Sequence, residues 1–326
     1  MLDTHNRDIN YLRVSVTDRC NLRCRYCMPE EGIGKLEHGD ILSFEDITRL
    51  MKVAVGVGIR KIRLTGGEPL VRKNITRLVG CIHELPEIDD IAITTNGVLF
   101  AGMADELKAA GLDRVNFSLD TMVAEKFKYI TRRDDLTEVK QAIFKAVELG
   151  MDPVKINTVV IKGFNDNELL DFAELAYSYP LHIRFIEFMP IGDLLFWEKD
   201  RIVTTEQIKE KIEQKYQLTP AKFIKGNGPA KYFTIKGGQG SVGFISPMSN
   251  HFCSECNRLR MTAEGKLRGC LYDKREIDLK TALDNNARDE DLRQLFIKAV
   301  NLKPSEHHMD DGWGEDNQRK MYQIGG

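Results

Sequence analysis

The sequence reads Cys20-Asn21-Leu22-Arg23-Cys24-Arg25-Tyr26-Cys27 directly after a strand-like run at residues 11–16. Three thiolates within eight residues can bind one face of an iron–sulfur cubane, which usually takes four cysteine ligands. Because only three are present here, one iron would keep an open position, and an open position on a metal indicates chemistry rather than a structural role. A structural zinc site and a chance grouping of cysteines are the alternatives.

Strand-like and helix-like segments alternate from residue 11 to about residue 190, which is typical of βα units around a parallel sheet. The predicted strands are residues 11–16, 61–64, 90–94, 114–119, 154–160 and 182–188. The predicted helices between them are residues 44–57, 74–85, 103–110, 136–149 and 167–177. Six units are two short of a full barrel, so we expect an α/β fold with an incomplete, laterally open (βα)6 TIM-like barrel. A plain doubly wound sheet is the structural alternative.

Polar and apolar residues alternate along five of these strands, although strands covered by helices are normally apolar on both faces. The polar positions are Arg13, Ser15, Lys61, Arg63, Thr65, Asn116, Ser118, Asp120, Lys155, Asn157, His182 and Arg184. Taken singly, each would be interpreted as a charge or polar group at an exposed strand end. Because the pattern repeats and unpartnered buried cations are costly, it predicts a lumen filled by water or by an anionic ligand.

The composition is that of an ordinary soluble protein, with 42% hydrophobic and 29% charged residues in a chain of 326. We find neither a run of about 18 apolar residues nor an apolar signal-peptide core near the start, and therefore expect a cytoplasmic protein. The net charge of −2 argues against general binding to nucleic acids or anionic membranes. In that compartment, seven cysteines are better explained as metal ligands or reactive thiols than as disulfides.

The pattern changes after about residue 190, where a helix at 205–216, a glycine-rich segment and strands at 231–235 and 240–245 predict a C-terminal extension. We expect a partial barrel at residues 1–222 and a cluster-binding and substrate-binding region at residues 223–326. The extension contains a second cysteine triad, Cys253, Cys256 and Cys270. Zinc competes with a cluster here, because His251 would complete a Cys3His set.

The first motif, followed after the second strand by Gly66-Gly67-Glu68-Pro69, resembles the radical S-adenosylmethionine (SAM) superfamily. The resemblance implies that the open iron binds the amino and carboxylate groups of SAM. Reductive cleavage then gives methionine and a 5′-deoxyadenosyl radical. The Gly-Gly-Glu-Pro turn would offer backbone groups to the SAM amino group, because glycine permits a close approach. By itself the turn would be ordinary.

Residues 12–20, residues 253–260 and the terminal Gly325-Gly326 resemble the GTP 3′,8-cyclase family of radical SAM lyases, which begin molybdenum cofactor biosynthesis. The resemblance covers essentially the whole chain, although residues 193–200 and 301–320 match no motif. It implies a second 4Fe–4S cluster on Cys253, Cys256 and Cys270, whose open iron binds the guanine of GTP. It also implies that the radical removes the ribose 3′ hydrogen of GTP and that C3′ then attacks guanine C8. The product would be (8S)-3′,8-cyclo-7,8-dihydroguanosine 5′-triphosphate.

Individual roles follow from the same resemblance. The residues that fall at GTP-binding positions are Arg13, Arg63, Thr94, Lys155, Arg258 and Arg260, to which the polar face adds Arg184. The residues expected to bind SAM are Tyr26, Gly66, Gly67, Glu68, Ser118 and Met189. The residues expected to act in catalysis are Arg13, Arg258, Arg260, Gly325 and Gly326, with the tail entering the active site. Converging arginine and lysine side chains are the expected complement of a triphosphate.

Further partners are expected at the family level only. They are an electron donor of the reduced flavodoxin or ferredoxin type, the next pathway enzyme, cyclic pyranopterin monophosphate synthase, and a second copy in a homodimer. Two other classes of function stay open. One is a different two-cluster radical SAM enzyme, such as a peptide maturase, and the other is a non-catalytic zinc-binding module.

Overall fold

The computed structural model describes residues 1–34, 39–191, 196–221, 224–225, 228–307 and 319–325. The strands in this part of the chain are β1 (Tyr11–Ser15), β2 (Lys61–Thr65), β3 (Asp90–Thr95), β4 (Arg114–Ser118), β5 (Val154–Val160), β6 (Leu181–Glu187), β7 (Leu218–Pro220), β8 (Lys231–Ile235), β9 (Ser241–Ile245), β10 (Arg258–Met261), β11 (Lys266–Arg268) and β12 (Ile277–Asp278). The helices are α1 (Phe44–Gly56), α2 (Ile75–His83), α3 (Ala104–Ala109), α4 (Ala124–Thr131), α5 (Leu136–Glu148), α6 (Leu169–Ser178), α7 (Thr205–Glu213), α8 (Leu279–Asp284), α9 (Asp289–Asn301) and α10 (Met321–Ile324).

All the strands belong to one open sheet in the order β12-β11-β10-β1-β2-β3-β4-β5-β6-β9-β8-β7. Strands β1 to β6 lie side by side in chain order and are parallel, without the reversal of order that marks a doubly wound sheet. The prediction of an incomplete α/β barrel is therefore confirmed, and the doubly wound alternative is wrong.

The chain after β6 extends this sheet at both edges. Strand β10 pairs in parallel with β1, and strand β9 pairs in parallel with β6. Antiparallel strands β11 and β12 continue one edge, and β8 and β7 continue the other. The two predicted regions thus share one sheet, and the proposed division at residues 222 and 223 remains a prediction.

Helices cover the apolar face of the strands. Helix α1 begins after Ser43, whose Oγ accepts from Asp46 N at 3.0 Å while the Asp46 carboxylate accepts from Ser43 N at 3.1 Å. Such a cap contributes about 1 kcal/mol to helix stability. The strand residues buried beneath the helices include Leu12, Val14, Ile62, Leu64, Val115, Phe117 and Ile156. With the apolar face covered, the polar face of the same strands turns to the interior.

Two features differ from the sequence-based expectation. The ends of the predicted helices move by at most three residues, as in α7, which ends at Glu213 instead of residue 216. Helices α4, α8, α9 and α10 and strands β7, β11 and β12 were not predicted; in α4 the buried apolar residues Phe127 and Ile130 form too short a stripe to stand out. None of the helices in the described residues combines the length and apolar character of a membrane span.

Candidate active site

The first cysteine triad lies on the loop after β1. The backbone N–H groups of Cys27 and Met28 both donate to the oxygen of Cys24 at 2.9 Å, which folds the motif into a tight turn. Arg23 N donates to Thr131 O at 3.0 Å, so the loop is also fixed to the end of α4. The unpredicted helix therefore positions the motif that the sequence identified.

Burial is the main influence on these thiols. It raises the pKa of Cys20 to about 11 and that of Cys27 to about 12, and it raises the pKa of Cys24 well above its ordinary value. The negative charges of Cys27 and Cys20 add to the rise in the pKa of Cys24, which means that the three thiols lie close enough to interact electrostatically. Thiolates gathered in this way need a cationic partner, because only a bound metal centre offsets both desolvation and mutual repulsion. The donor set thus fits an iron–sulfur cluster.

The Gly66-Gly67 turn after β2 packs against the backbone of the cysteine loop. Gly67 N donates to Thr17 O and Glu68 N donates to Arg19 O, both at 2.8 Å. A Cβ on Gly66 would lie 2.4 Å from Thr17 O, and a Cβ on Gly67 would lie 2.4 Å from Arg19 O, so only glycine fits. Because these N–H groups are committed to the loop, the turn can offer carbonyl oxygens to an incoming ammonium group.

Glu68 is a brace between the turn and β3. Its Oε1 accepts from Leu70 N at 3.0 Å and from Thr95 Oγ1 at 2.8 Å, and its Oε2 accepts from Asn96 N at 2.7 Å. Burial raises the pKa of Glu68 to about 7. Asn96 Nδ2 in turn lies 3.7 Å from Cys20 Sγ, which connects the brace to the first triad.

The predicted polar lumen contains a row of arginines. Arg13 lies in register between Arg63 on β2 and Arg260 on β10. Two residues earlier on the same strands, Tyr11 pairs with Arg258. Side chains in register on parallel strands share a face, so these residues converge on one cavity. The other residues that line this cavity include Asn157, Arg184, Met189, Met321, Cys253, Cys256 and Cys270.

Burial and mutual repulsion weaken the charged state of these cations. Desolvation lowers the pKa of Arg63 to about 9. Tyr11 opposes this decrease, and the positive charges of Arg114 and Arg184 add to it. Desolvation followed by the charge of Arg258 lowers the pKa of Arg260 to about 10. A polyanion bound among them would reverse these shifts.

Lys155 and Arg184 extend the cationic face toward β5 and β6. Arg184 Nη2 donates to Asn116 Oδ1 at 2.6 Å, and Lys155 Nζ donates to Lys225 O at 2.5 Å. Desolvation, followed by the charges of Arg184, Arg114 and Arg63, lowers the pKa of Lys155 to about 6. Among the described residues, the buried lumen atoms without a hydrogen-bond partner include Arg63 Nε, Arg184 Nε, Thr94 Oγ1 and Asn157 Oδ1. Buried polar atoms are normally paired, so this set fits a polar, anionic ligand.

The second triad lies at the same cavity. Burial favours the neutral thiol of Cys256, but the positive charges of Arg258 and Lys303 outweigh it and lower the pKa to about 6. Burial raises the pKa of Cys253, and a hydrogen bond from the backbone of His307 opposes that effect. Cys256 therefore offers a thiolate ligand beside the lumen arginines.

A zinc site at the second triad is not supported. The ring of His251, the candidate fourth ligand, packs against the ring of His307 with 4.3 Å between centroids. In the described ranges, no three His, Cys, Asp or Glu residues are arranged around a single metal ion. A 4Fe–4S cluster takes each thiolate on a different iron, so its ligands do not converge on one point.

The C-terminal tail lies between the two triads. Tyr322 N donates a hydrogen bond to the sulfur of Cys27, and Arg260 Nη1 donates to Gly325 O at 2.7 Å. Gly325 has a φ of 80°, and a Cβ there would lie 2.5 Å from Thr65 Oγ1. Only glycine combines this backbone conformation with so close an approach to β2.

Two family models match the chain, the Radical SAM superfamily over residues 14–176 and Molybdenum Cofactor Synthesis C over residues 181–309. The GTP 3′,8-cyclase of Syntrophomonas wolfei subsp. wolfei is 67% identical over 326 residues, which cover 100% of both chains. The chain belongs to the GTP 3′,8-cyclase family. The GTP 3′,8-cyclase of Moorella thermoacetica is 54% identical over 326 residues, again with 100% coverage of both.

Among solved structures, the fold is similar to that of Streptococcus suis SuiB, with a TM-score of 0.60 and 14% sequence identity. The match covers 85% of this chain and 65% of SuiB. At this identity the likeness concerns the fold alone. Family membership instead establishes the cofactors: a member of the GTP 3′,8-cyclase family uses SAM and 4Fe–4S clusters, the second of them in the C-terminal part.

The remaining predicted SAM positions are placed as follows in this member of the GTP 3′,8-cyclase family. Tyr26 donates from its hydroxyl to Asp120 Oδ2 at 2.7 Å, Met189 lines the arginine cavity, and Ser118 is exposed at the end of β4. Gly326 lies outside the described residues. The role of each of these residues stays a prediction.

Several residues of this cyclase-family site were missed from the sequence. Tyr11 could have been found, because it lies two positions before Arg13 and therefore on the same face of β1. Asn96 and Lys303 carry no such signal, since each reaches a cysteine sulfur only through the folded chain.

Proposed function

We propose that this chain catalyses the radical cyclisation of GTP to (8S)-3′,8-cyclo-7,8-dihydroguanosine 5′-triphosphate, the first step of molybdenum cofactor biosynthesis. Membership of the GTP 3′,8-cyclase family supports this activity. The observation that carries it is the cavity in which buried arginines face the second cysteine triad. A nucleoside triphosphate would bring negative charge to these side chains, with its base directed toward the second cluster.

Arg13, Arg63, Lys155 and Arg184 are proposed to bind the triphosphate, with Thr94 as a neutral donor. Within the described residues, no carboxylate forms an ion pair with Arg63, Lys155 or Arg184. Arg114, by contrast, donates from Nε to Asp90 Oδ1 at 2.7 Å. Because this carboxylate neutralises its charge, Arg114 is proposed to have a structural role. Charge-assisted hydrogen bonds to phosphate are stronger than neutral ones, so binding would repay the desolvation of these cations.

Arg258 and Arg260 are proposed to act beside the guanine and the ribose. Arg258 neighbours Cys256 closely enough that each stabilises the charge of the other. Arg260 reaches the tail through Gly325 and lies in register with Arg13. Arginine here would fix the base against the second cluster, which is held by Cys253, Cys256 and Cys270, and would stabilise charge that develops during ring closure.

Tyr26, Gly66, Gly67, Glu68, Ser118 and Met189 are proposed to form the SAM site beside a cluster held by Cys20, Cys24 and Cys27. The turn would accept from the SAM amino group, with Glu68 bracing it through Asn96 and Thr95. When bound, the first cluster and SAM supply the radical that removes hydrogen from C3′ of GTP. The chain contributes position and exclusion of water, which together bring C3′ into reach.

The tail residues Gly325 and Gly326 are proposed to close the space between SAM and GTP. The tail contacts the first triad through Tyr322 and the arginine cavity through Gly325. A side chain on Gly325 would meet Thr65, so glycine lets the chain end pass between the two ligands. Catalytic roles are thus assigned to Arg13, Arg258, Arg260, Gly325 and Gly326.

The protein is further proposed to work in the cytoplasm as a homodimer. Its electron donor would be a reduced flavodoxin or ferredoxin, since the first cluster must be reduced once for each SAM that it cleaves. Its product would pass to cyclic pyranopterin monophosphate synthase.

The test is anaerobic incubation of the reconstituted protein with SAM, dithionite and GTP carrying deuterium at C3′. We expect deuterium in 5′-deoxyadenosine and a cyclised nucleotide with the mass of unlabelled GTP, because an electron from the donor and a proton replace the deuterium lost from C3′ when the ring-closed radical becomes the 7,8-dihydro product. ATP in place of GTP serves as the control for base recognition. Intact clusters that cleave SAM without forming this nucleotide, or that leave the deuterium in GTP, would defeat the proposal.

A further inference from the structure

We infer that Lys303 is a positioning residue of the second cluster, whose ammonium group binds the ligand sulfur of Cys256 and holds the two ligand-bearing segments together. The inference rests on the proposed cluster at Cys253, Cys256 and Cys270. It adds a hydrogen-bond donor and a positive charge to a site whose reactivity depends on both.

The contacts of Lys303 converge on the triad. Its Nζ donates to Cys256 Sγ at 3.4 Å, to Arg258 O at 2.9 Å and to Gly269 O at 2.6 Å. Gly269 directly precedes Cys270, and Arg258 follows Cys256 by two positions. An ammonium group has three donors, and here all three are used on the ligands' own segments.

The backbone is shaped to let Lys303 come this close. Lys303 is only 3% exposed, and a Cβ on Gly269 would lie 3.0 Å from the Cα of Lys303. Helix α9 ends just before it, with Lys303 N donating to Val300 O at 3.2 Å. The side chain therefore projects into the cluster site from a fixed helix end.

A second buried cation secures the segment after Lys303. Arg7 Nη1 donates to Cys253 O at 2.8 Å and to Ser305 O at 3.0 Å, while Nη2 donates to Pro304 O at 2.7 Å. Its Nε donates to Asp3 Oδ2 at 2.7 Å, which neutralises the guanidinium. The N-terminal segment thus holds Pro304 and Ser305, which directly follow Lys303, against the first ligand of the triad.

The two cations differ in what balances their charge. Arg7 has the Asp3 carboxylate, whereas the described contacts of Lys303 Nζ are two carbonyl oxygens and one sulfur. A buried ammonium without a carboxylate is costly unless another anion faces it, and the thiolate of Cys256 is that anion. Hydrogen bonds to ligand sulfurs and nearby charge both tune an iron–sulfur cluster. Lys303 therefore favours the reduced, more negative state of the second cluster.

The first measurement needs no substitution at Lys303. Protein made with lysine labelled by nitrogen-15 at Nζ, and with Cys20, Cys24 and Cys27 changed to Ala, holds only the second cluster after anaerobic reconstitution. Pulsed electron paramagnetic resonance of the reduced cluster should reveal a coupling to nitrogen-15. A labelled sample without that coupling overturns the inference.

The second measurement compares variants in the same background. Lys303→Met should lose the coupling and either shift the reduction potential to a more negative value or lose the iron of the second cluster. Lys303→Arg retains charge and donors and should recover part of the potential. Lys298→Met, on the exposed side of α9, is the matched control and should behave as the parent. An unchanged potential in Lys303→Met with a full cluster contradicts the assignment.

Failure of the proposed function has a different signature. A protein that keeps all six ligand cysteines, has sulfide and iron at both triads and forms no cyclised nucleotide would reject the GTP 3′,8-cyclase reaction, while the lysine coupling would still appear in the background that holds only the second cluster. A parent without a cluster at Cys253, Cys256 and Cys270 would reject both.

Discussion

Arg260 Nη1 donates to the backbone oxygen of Gly325 at 2.7 Å, which joins the lumen arginines to the end of the chain. Arg260 is also in register with Arg13, and Gly325 packs on Thr65. The tail therefore packs directly on the polar faces of β1, β2 and β10. A substitution at Arg260 or Gly325 should therefore change the rate of GTP cyclisation.

Replacing Gly325 by Ala should lower the rate of GTP cyclisation by at least about 100-fold, because displacing reacting groups by about 1 Å has that effect. The new Cβ would lie 2.5 Å from Thr65 Oγ1. Deletion of Gly325 and Gly326 should stop product formation while both clusters remain. Gly80→Ala is the control, since a Cβ at Gly80 meets nothing within 4 Å. Full activity in the truncated protein would contradict the role given to the tail.

Arg319 anchors the entry of the tail. It donates from Nη1 to Glu264 and from Nη2 to Glu276, both at 2.8 Å. Arg319→Met should release the tail, so cyclisation should fall and the chain end should become sensitive to carboxypeptidase. Arg288→Met removes an exposed pair with Asp291 and should change neither property. A protected tail in Arg319→Met would show that the anchor lies elsewhere.

Arg13→Ala should reduce cyclisation by at least about 100-fold, in the range seen when one electrostatic donor is removed from an active site. SAM cleavage should stay measurable, because Arg13 lines the arginine cavity and is proposed to bind GTP rather than SAM. Both are read from one assay as 5′-deoxyadenosine and cyclised nucleotide. If the variant merely needs more GTP and then reaches the parental rate, Arg13 binds substrate without a catalytic part.

GTP binding should take up a proton at Lys155. In the protein without bound GTP, desolvation and then the charge of Arg184 lower the pKa of Lys155 to about 6. The free amino group is therefore largely neutral at pH 7.5. Phosphate would raise that pKa, so affinity should fall as pH rises above about 6, by up to about tenfold per pH unit. Calorimetry in buffers of different ionisation enthalpy measures the uptake. Lys155→Met should abolish it, and equal uptake in that variant would assign the proton to another group.

The Asp90–Arg114 pair is expected to matter for stability rather than chemistry. Both side chains are buried, at 4% and 0% exposure, and Arg114 Nε lies 2.7 Å from Asp90 Oδ1. Arg114→Met should lower the free energy of unfolding in urea by about 3–5 kcal/mol, because a buried carboxylate loses its partner. Arg77→Met breaks an exposed pair with Glu45 and should cost at most about 1 kcal/mol. An equal decrease in the free energy of unfolding in the two variants would contradict the greater importance given to the buried pair.

Local features of the fold and site were readable from the sequence. Strand and helix periodicity located the six βα units, and β5 has the predicted bounds at Val154–Val160. Cysteine spacing located both triads, and alternation along the strands placed Arg13 and Arg63 on the inner face. Each of these depends on residues a few positions apart, where backbone geometry alone decides which side chains share a face.

Contacts between distant parts of the chain were decided only by tertiary structure. The pairing of β10 with β1, the approach of Lys303 to Cys256 and the bond from Arg7 to Cys253 O join segments that no local pattern relates. They arise because packing brings these segments together and because a buried cation must find an anion or a set of acceptors wherever the fold offers one. By itself, the sequence determined which chemistry the chain carries. The fold decided that the second triad, the arginines and Met321 of the tail line one cavity, and that the tail also contacts Cys27 of the first triad.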